Sequence, residues 1–348
     1  MIGVDLFCKV VDNFGDAGVM WRLARALVHE HGAVVRLWID RPATLAAIAP
    51  EEDAAIERRE WGTAFPEIVP HEIVVEGFGC GLPEAFVAAM AARQPNSAWI
   101  VLEYLSAEPW VGEFHARPSP HPRFALERTF FFPGFEPASG GLLRERDLFA
   151  RRECFGAAER ARLFADLGVA PPPAHVTTVL MFAYDDAPLE ALADALAEAP
   201  TLMLVPGRPA PAARGLLTTA RIPFVPQSRF DELLWACDIN FVRGEDSFVR
   251  AQWAARAFVW QIYAQPERAH WVKLEAFLDR FDAGTAMRDL WHAWNRIDGA
   301  PPLVAAWREF VAQRVAIDRQ VRAWGDRLAQ SEDLATKLLK LARERVKS

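Results

Sequence analysis

The sequence predicts an α/β protein built from two doubly wound, Rossmann-like domains. Three observations carry that expectation. Apolar strand-like runs alternate with amphipathic helical segments, and this alternation stops once at a proline run and then starts again. The chain has 348 residues, enough for two cores at roughly 100–200 residues per domain.

An apolar run over residues 2–11 reads as a buried strand, and Asp12-Asn13-Phe14-Gly15-Asp16-Ala17-Gly18 as the loop leaving it. Met20, Leu23, Ala24, Leu27 and Val28 then recur at helical spacing. Further strands are expected at 33–38, 72–75, 98–102 and 129–132, with a helix over 83–93. Such alternation implies a parallel sheet with helices on its faces. Leu167-Gly168-Val169-Ala170-Pro171-Pro172-Pro173 breaks the pattern, because three prolines can continue neither a helix nor a central strand. It is the expected linker between an N-terminal domain, 1–168, and a second domain, 174–330. Strands of the second series are placed at 176–182, 201–205, 222–225, 239–242 and 258–261, with helices from about residue 268 onward. The segment 331–348 reads as a C-terminal helix with Leu334, Leu338 and Leu341 on one face. Acids open it and bases close it, as the helix dipole favours. It is expected to pack back on the body of the protein rather than lie on a membrane.

A formal net charge of −7 with 52% hydrophobic residues excludes a disordered chain and argues against a general nucleic-acid binder, which needs a broad basic field. Apolar runs such as 85–92 fall short of the ~18 residues of a membrane span. Asp5 and Lys9 interrupt the opening, so neither a secretory leader nor a membrane partner is expected. Cys8, Cys80, Cys154 and Cys237 form no C-x-x-C pair, which fits reduced thiols in a cytoplasmic protein rather than disulfides or structural zinc.

Two strand-to-helix turns are dense in functional groups. In the first, Asp12 and Asp16 would repel a phosphate, so they either cap the turn and the helix or receive a cationic group and do general-base work. In the second, Phe241-Val242-Arg243-Gly244-Glu245-Asp246-Ser247-Phe248, Arg243 and the helix amides make a pyrophosphate seat, Gly244 permits close backbone approach, and Asp246 or Ser247 is the expected cap. Phe182, Tyr184 and Phe230 flank that seat and could stack a nucleobase, although Ser228 to Asp231 also fits a capping box. Gly77-Phe78-Gly79-Cys80-Gly81-Leu82-Pro83 is not the dinucleotide fingerprint and reads as a turn lining the interdomain cleft. The stretch 104–122, with His115 and His121, reads as a long loop whose histidines are surface groups rather than metal ligands. No Asp-x-Asp motif suited to a nucleotide-sugar metal is evident.

The runs Phe7-Cys8-Lys9-Val10-Val11-Asp12-Asn13-Phe14-Gly15-Asp16, Trp21-Arg22-Leu23-Ala24-Arg25, Phe78-Gly79-Cys80-Gly81-Leu82-Pro83-Glu84 and Leu102-Glu103-Tyr104-Leu105-Ser106 closely resemble one bacterial family. So does the Arg-Gly-Glu-Asp-Ser block continued through Gln252. The family is the protein-arginine rhamnosyltransferases of translation elongation factor P. The resemblance implies a GT-B glycosyltransferase, with two Rossmann-like domains facing a central cleft. It implies dTDP-β-L-rhamnose as donor and a single arginine of elongation factor P as acceptor, in an inverting, metal-free reaction. That modification would activate the factor for rescue of ribosomes stalled at polyproline. The family's catalytic carboxylates would be Asp12, Asp16 and Glu245, with Asp16 the base. Its donor block would be Arg243, Gly244, Glu245, Asp246 and Ser247, and its thymidine pocket Phe182, Tyr184, Phe224, Gln227 and Phe230.

Guanidinium and aspartic acid differ by about 8–9 pKa units, so prior deprotonation of the arginine would cost ~12 kcal/mol. Asp12 and Asp16 are therefore expected to orient the guanidinium and accept its proton only as the C–N bond forms. Glu245 suits sugar or ribose hydroxyls better than phosphate. Three other readings are a GT-B enzyme with another nucleotide-sugar or acceptor, a nicotinamide-dependent oxidoreductase, and a non-catalytic module that binds elongation factor P. The missing G-x-G-x-x-G counts against the second, and the intact carboxylates against the third.

Overall fold

Every position of Gly3–Cys8 is buried, as in a central parallel strand covered on both faces rather than a half-solvated one. This strand, β1, organises the first sheet. In the computed structural model, which describes residues 1–12, 14–62 and 65–347, the sheet continues with β2 (Val34–Ile39), β3 (Ile56–Glu60), β4 (Ile73–Gly77), β5 (Ala98–Leu102), β6 (Pro118–Pro120) and β7 (Glu127–Phe131). Its order is β3-β2-β1-β4-β5-β7-β6, parallel throughout except for the β6–β7 pair. The second sheet contains β8 (Thr177–Met181), β9 (Thr201–Pro206), β10 (Leu217–Ile222), β11 (Ile239–Arg243) and β12 (Ala257–Gln261). It is parallel, in the order β10-β9-β8-β11-β12.

Both sheets reverse direction in the same way. From β1 the chain moves outward through β2 and β3, then returns to β1's other side as β4. From β8 it moves through β9 and β10, then returns as β11. The crevice at such a switch point, beyond the carboxyl ends of the strands, is where open α/β sheets bind ligands. The two function-dense turns of the sequence lie at these points, one after β1 and one after β11.

The chain divides into two compact units, Met1–Arg146 with Ala329–Ser348, and Asp147–Leu328. This boundary differs from the expected proline linker. Helices Leu148–Cys154 and Ala157–Asp166 fold with the second sheet. Arg160 donates to Ala236 O and Thr178 Oγ1, each at 2.9 Å, and Phe155 packs edge-on against Trp235. The C-terminal helix, Leu334–Lys347, belongs to the first unit. Leu334, Ala335, Leu338, Leu339 and Ala342 are buried, and the Asp333 carboxylate caps it by accepting Thr336 N–H at 3.1 Å.

Several elements differ from their sequence expectation. β3 is an edge strand whose sequence, Ile-Glu-Arg-Arg-Glu, has no apolar run to announce it. β10 ends at Ile222, where a strand was expected to begin. The segment 104–122 contains a short helix, Val111–Phe114, and β6. Within β1, Asp5 is fully buried yet satisfied by Arg36 (2.5 and 2.9 Å), Trp38 Nε1 (3.0 Å) and His71 N–H (2.8 Å), as a buried charge must be. Among the described residues no helix is long and apolar enough to cross a membrane.

Candidate active site

At the first switch point, the helix Gly15–His29 begins immediately after β1's exit loop, and Phe14, not an aspartate, stands at its N-cap with no side-chain cap bond. Asp16 sits inside the first turn and reaches back. One oxygen, Oδ2, accepts the N–H groups of Val11 (2.7 Å) and Asp12 (2.8 Å). Asp16 therefore does not cap the helix, a role that one reading of the sequence assigned to it. Instead Asp16 ties the strand exit to the helix, while the Asp12 carbonyl accepts Gly15 N–H at 2.6 Å. Both aspartates are buried, and Asn13, between them, lies outside the described residues.

Burial is the largest influence on Asp16 and raises its pKa above the usual carboxylate value. The N–H groups of Val11 and Asp12 and the Tyr104 side chain oppose that rise, and the nearby Asp40 charge adds to it. A carboxylate shifted in this direction is a stronger base than a solvated one. Cys8, at the end of β1, is also pushed well up by burial and by Asp16, so it stays a neutral thiol. Gly15 matters sterically: a Cβ there would stand 2.7 Å from Asp12 Oδ2. Gly15→Ala should therefore leave the melting temperature within about 3 °C of the parent while displacing Asp12. Turnover should fall by about 10–10²-fold, measured beside a thermal melt.

At the second switch point, helix Glu245–Trp253 follows β11. Gly244 is its N-cap, at φ 65° and ψ −168°, a region essentially reserved for glycine. The expected caps have other partners. Ser247 Oγ donates back to Arg243 O, and Asp246 accepts Gln227 Nε2 at 2.9 Å. Helix Gln227–Ala236 starts after Pro226, so Ser228 is not a cap either. One turn further along the two helices, buried Arg250 pairs with Asp231 through bonds of 2.7 and 2.5 Å. Two rungs four residues apart thus hold these helix starts together.

The aromatic side chains converge on Arg243. Its guanidinium carbon lies 4.8 Å from the Phe182 ring centre and 4.7 Å from that of Tyr184, within cation–π range. Phe182 in turn meets Phe230 at 5.4 Å and Phe224 at 6.3 Å. Phe182, Tyr184, Phe224, Gln227, Phe230, Arg243, Asp246 and Ser247 therefore form one connected group, with half-buried Glu245 beginning the helix. Sequence reasoning missed Arg208 and Gln261, which fasten Tyr184. Arg208 donates to the carbonyls of Ala183 (3.1 Å) and Tyr184 (3.0 Å), while Gln261 accepts Tyr184 N–H at 2.8 Å. The available signal was a polar residue at or just past the carboxyl end of an apolar strand, Gln261 closing β12 and Arg208 lying two residues beyond β9.

His115 and His121 act as backbone acceptors, from Phe132 N–H (3.1 Å) and from Arg123 (3.3 Å) and Phe124 (3.2 Å). Among the described residues no group of three or more His, Cys, Asp or Glu is arranged to hold a metal ion.

Residues 4–343 match the family described as Elongation-Factor P (EF-P) rhamnosyltransferase EarP. The chain belongs to the EarP family. A protein-arginine rhamnosyltransferase of Pseudomonas putida is 44% identical, over 96% of this chain and 97% of its own length. That of Pseudomonas aeruginosa is 42% identical over 97% and 98%. A solved structure described as the structural basis for EarP-mediated arginine glycosylation of translation elongation factor EF-P matches with a TM-score of 0.69 at 34% identity, covering 99% of both chains. Phytolacca americana UGT2, complexed with UDP-2fluoro-glucose and pterostilbene, matches at 0.57 and 12% identity over both whole chains, a likeness of fold alone.

The EarP-family chain is thus an enzyme of the glycosyltransferase class with a GT-B fold. In it, Gly244 has a conformational role beyond close approach. Gly244→Ala should cost about 1–3 kcal/mol from the disfavoured backbone. The strain falls beside Arg243 and Ser247, at the start of helix Glu245–Trp253, and a denaturant melt reads it.

Proposed function

We propose that this enzyme transfers L-rhamnose from dTDP-β-L-rhamnose to one arginine side chain of translation elongation factor P, with inversion at the anomeric carbon and without a metal, in the cytoplasm. The observation that carries the reading is the Asp16 carboxyl, buried and raised in pKa, on a turn that it shares with a second buried aspartate. Two buried carboxylates suit a cationic acceptor, and the raised pKa narrows the gap to a guanidinium that loses its proton during bond formation.

The guanidinium nitrogen attacks C1 of the sugar. The C1–O bond to the diphosphate breaks and its electron pair leaves with dTDP, while the nitrogen's proton passes to Asp16. Arg243 and the N-terminal amides of helix Glu245–Trp253 stabilise the charge growing on the diphosphate, the task a divalent cation would otherwise perform. Phe182, Phe224 and Phe230 stack the thymine. Glu245 binds sugar or ribose hydroxyls, and Gln227 and Asp246 brace the helix starts. Rhamnosylation of elongation factor P by this enzyme is what the relatives' activity supports.

The test is the intact mass of elongation factor P after incubation with enzyme and dTDP-β-L-rhamnose in the presence of EDTA. The expected gain is one deoxyhexose, located on an arginine and α-linked. An unmodified acceptor while dTDP still binds would point to a different sugar or acceptor. Modification only after a divalent cation is supplied would overturn the metal-free mechanism.

A further inference from the structure

Arg243 closes β11 and Gln261 closes β12, and the two are register partners in neighbouring parallel strands. Tyr184 follows β8, on the other side of β11. Adjacent strands lie about 4.8 Å apart, so β8 and β12 are separated by about 10 Å. The segment that leaves β8 is nevertheless bonded to the end of β12. Gln261 Oε1 accepts Tyr184 N–H at 2.8 Å, and Gln261 Nε2 donates to Asp186 Oδ1 at 3.0 Å. The segment therefore passes across the carboxyl end of β11, where Arg243 leaves the sheet.

A second tether comes from the opposite side. Arg208, beyond β9, donates through Nη1 to Ala183 O at 3.1 Å and Tyr184 O at 3.0 Å, and the same nitrogen lies 3.5 Å from Asp185 Oδ1. The N–H of Tyr184 is thus held from β12 and its carbonyl from the segment after β9. Asp185 and Asp186 are exposed, so at these positions polar tethers rather than core packing decide the path of the chain. The ring they place lies 4.7 Å from the Arg243 guanidinium carbon, and Tyr263 packs edge-on against its other neighbourhood at 5.7 Å. Ser247 already holds the Arg243 carbonyl, so what the rings set is the direction of the guanidinium.

Gln261 is only 5% exposed, and both ends of its amide are spent on the segment after β8. It therefore acts on a bound nucleotide through Tyr184 and not by contact. We propose that Gln261, together with Arg208, is a positioning residue that sets donor affinity by holding the Tyr184 ring against the Arg243 guanidinium. This rests on the reading of Arg243 as the ligand of the donor diphosphate and adds to it the residues that aim that ligand.

The test is calorimetric titration of the full chain with dTDP, beside a thermal melt. The proteins compared are the parent, Gln261→Met, Gln261→Glu paired with Asp186→Asn, Arg243→Ala, and Arg243→Ala combined with Gln261→Met. Gln261→Met keeps the length of the side chain and loses both bonds. Its dTDP affinity should weaken about 3–10-fold. The donor KM should rise by a like factor while the KM for elongation factor P stays within about twofold. The paired substitution still accepts Tyr184 N–H and reverses donor and acceptor in the bond to position 186, so affinity should return to within about twofold of the parent. In the Arg243→Ala background, Gln261→Met should cost less than about twofold more, because the group that it aims is gone.

Parental dTDP affinity in Gln261→Met, a paired substitution that binds no tighter than Gln261→Met, or the full loss repeated on top of Arg243→Ala would overturn the proposal. The last is what a merely structural glutamine gives, since it weakens the protein equally in both backgrounds. If Gln261→Met does not fold, Arg208→Met, which releases the carbonyls of Ala183 and Tyr184, decides by the same affinity and background criteria. Arg243→Ala alone separates the two levels. Parental affinity there defeats the donor-site assignment itself, whereas weakened binding there with parental affinity in Gln261→Met defeats only the role of Gln261.

Discussion

Asp16→Asn is expected to abolish turnover, by about 10³-fold or more if general-base transfer is the contribution lost, without weakening the fold. The second half follows from geometry. The Val11 and Asp12 N–H groups bind the same oxygen, Oδ2, which an amide oxygen replaces without leaving either donor buried and unpaired. It also follows from charge. Because the folded-state pKa of Asp16 is raised, the stability it contributes is present below its unfolded-state value and lost as pH rises through the folded value. At neutral pH the ionised side chain is therefore a liability, and the neutral amide removes it. The melting temperature of Asp16→Asn should equal or exceed the parent's above that titration, and the advantage should vanish toward low pH where the parent is protonated. Melts across pH paired with mass-based turnover check both parts, and dTDP affinity should stay near the parental value. A destabilised Asp16→Asn with proportionate loss of dTDP binding would make the carboxylate structural.

Arg243→Ala carries the second large effect. The guanidinium lies against the rings of Phe182 and Tyr184 at the start of helix Glu245–Trp253. Loss of charge-assisted bonds to a diphosphate costs about 1.5–3 kcal/mol. The expected result is a roughly 10–10²-fold weaker dTDP affinity. A further drop in turnover should follow, because the leaving group's charge grows in the transition state. Arg243→Lys should recover part of the affinity but not the parental value, since an ammonium lacks the planar surface that stacks on both rings. Calorimetric titration with dTDP against both variants checks this, and parental affinity in Arg243→Ala would remove the residue from the donor site.

Much of the architecture was legible because parallel strands buried on both faces are predominantly apolar, with an occasional paired polar residue such as Asp5. β1, β2, β4, β5, β8, β9, β11 and β12 all read this way, and β5 falls on its expected residues. β3 was not legible: a two-sided apolar strand advertises itself, whereas an edge strand of Ile-Glu-Arg-Arg-Glu looks like any solvated segment. The unit boundary was misplaced for a related reason. A proline run marks where regular structure stops, but not which sheet the preceding helices cover, and Arg160 and Phe155 settle that by contacts to Thr178, Ala236 and Trp235. The caps were misassigned because Asp16, Asp246 and Ser247 have better partners than their own helix ends.

The sequence by itself determined the fold class, the two function-dense turns and the family, because these depend on residue types in local order. Only the tertiary structure decided what each side chain does. Asp16 becomes a base candidate through burial and through the backbone N–H groups of Val11 and Asp12 after β1. Phe182, Tyr184, Phe224 and Phe230 become one group only when β8, the segment after β10 and helix Gln227–Ala236 converge on Arg243. Arg208 and Gln261 gain their roles from neighbours distant in the chain. Burial and hydrogen-bond partnership are set by long-range packing, which local pattern does not encode.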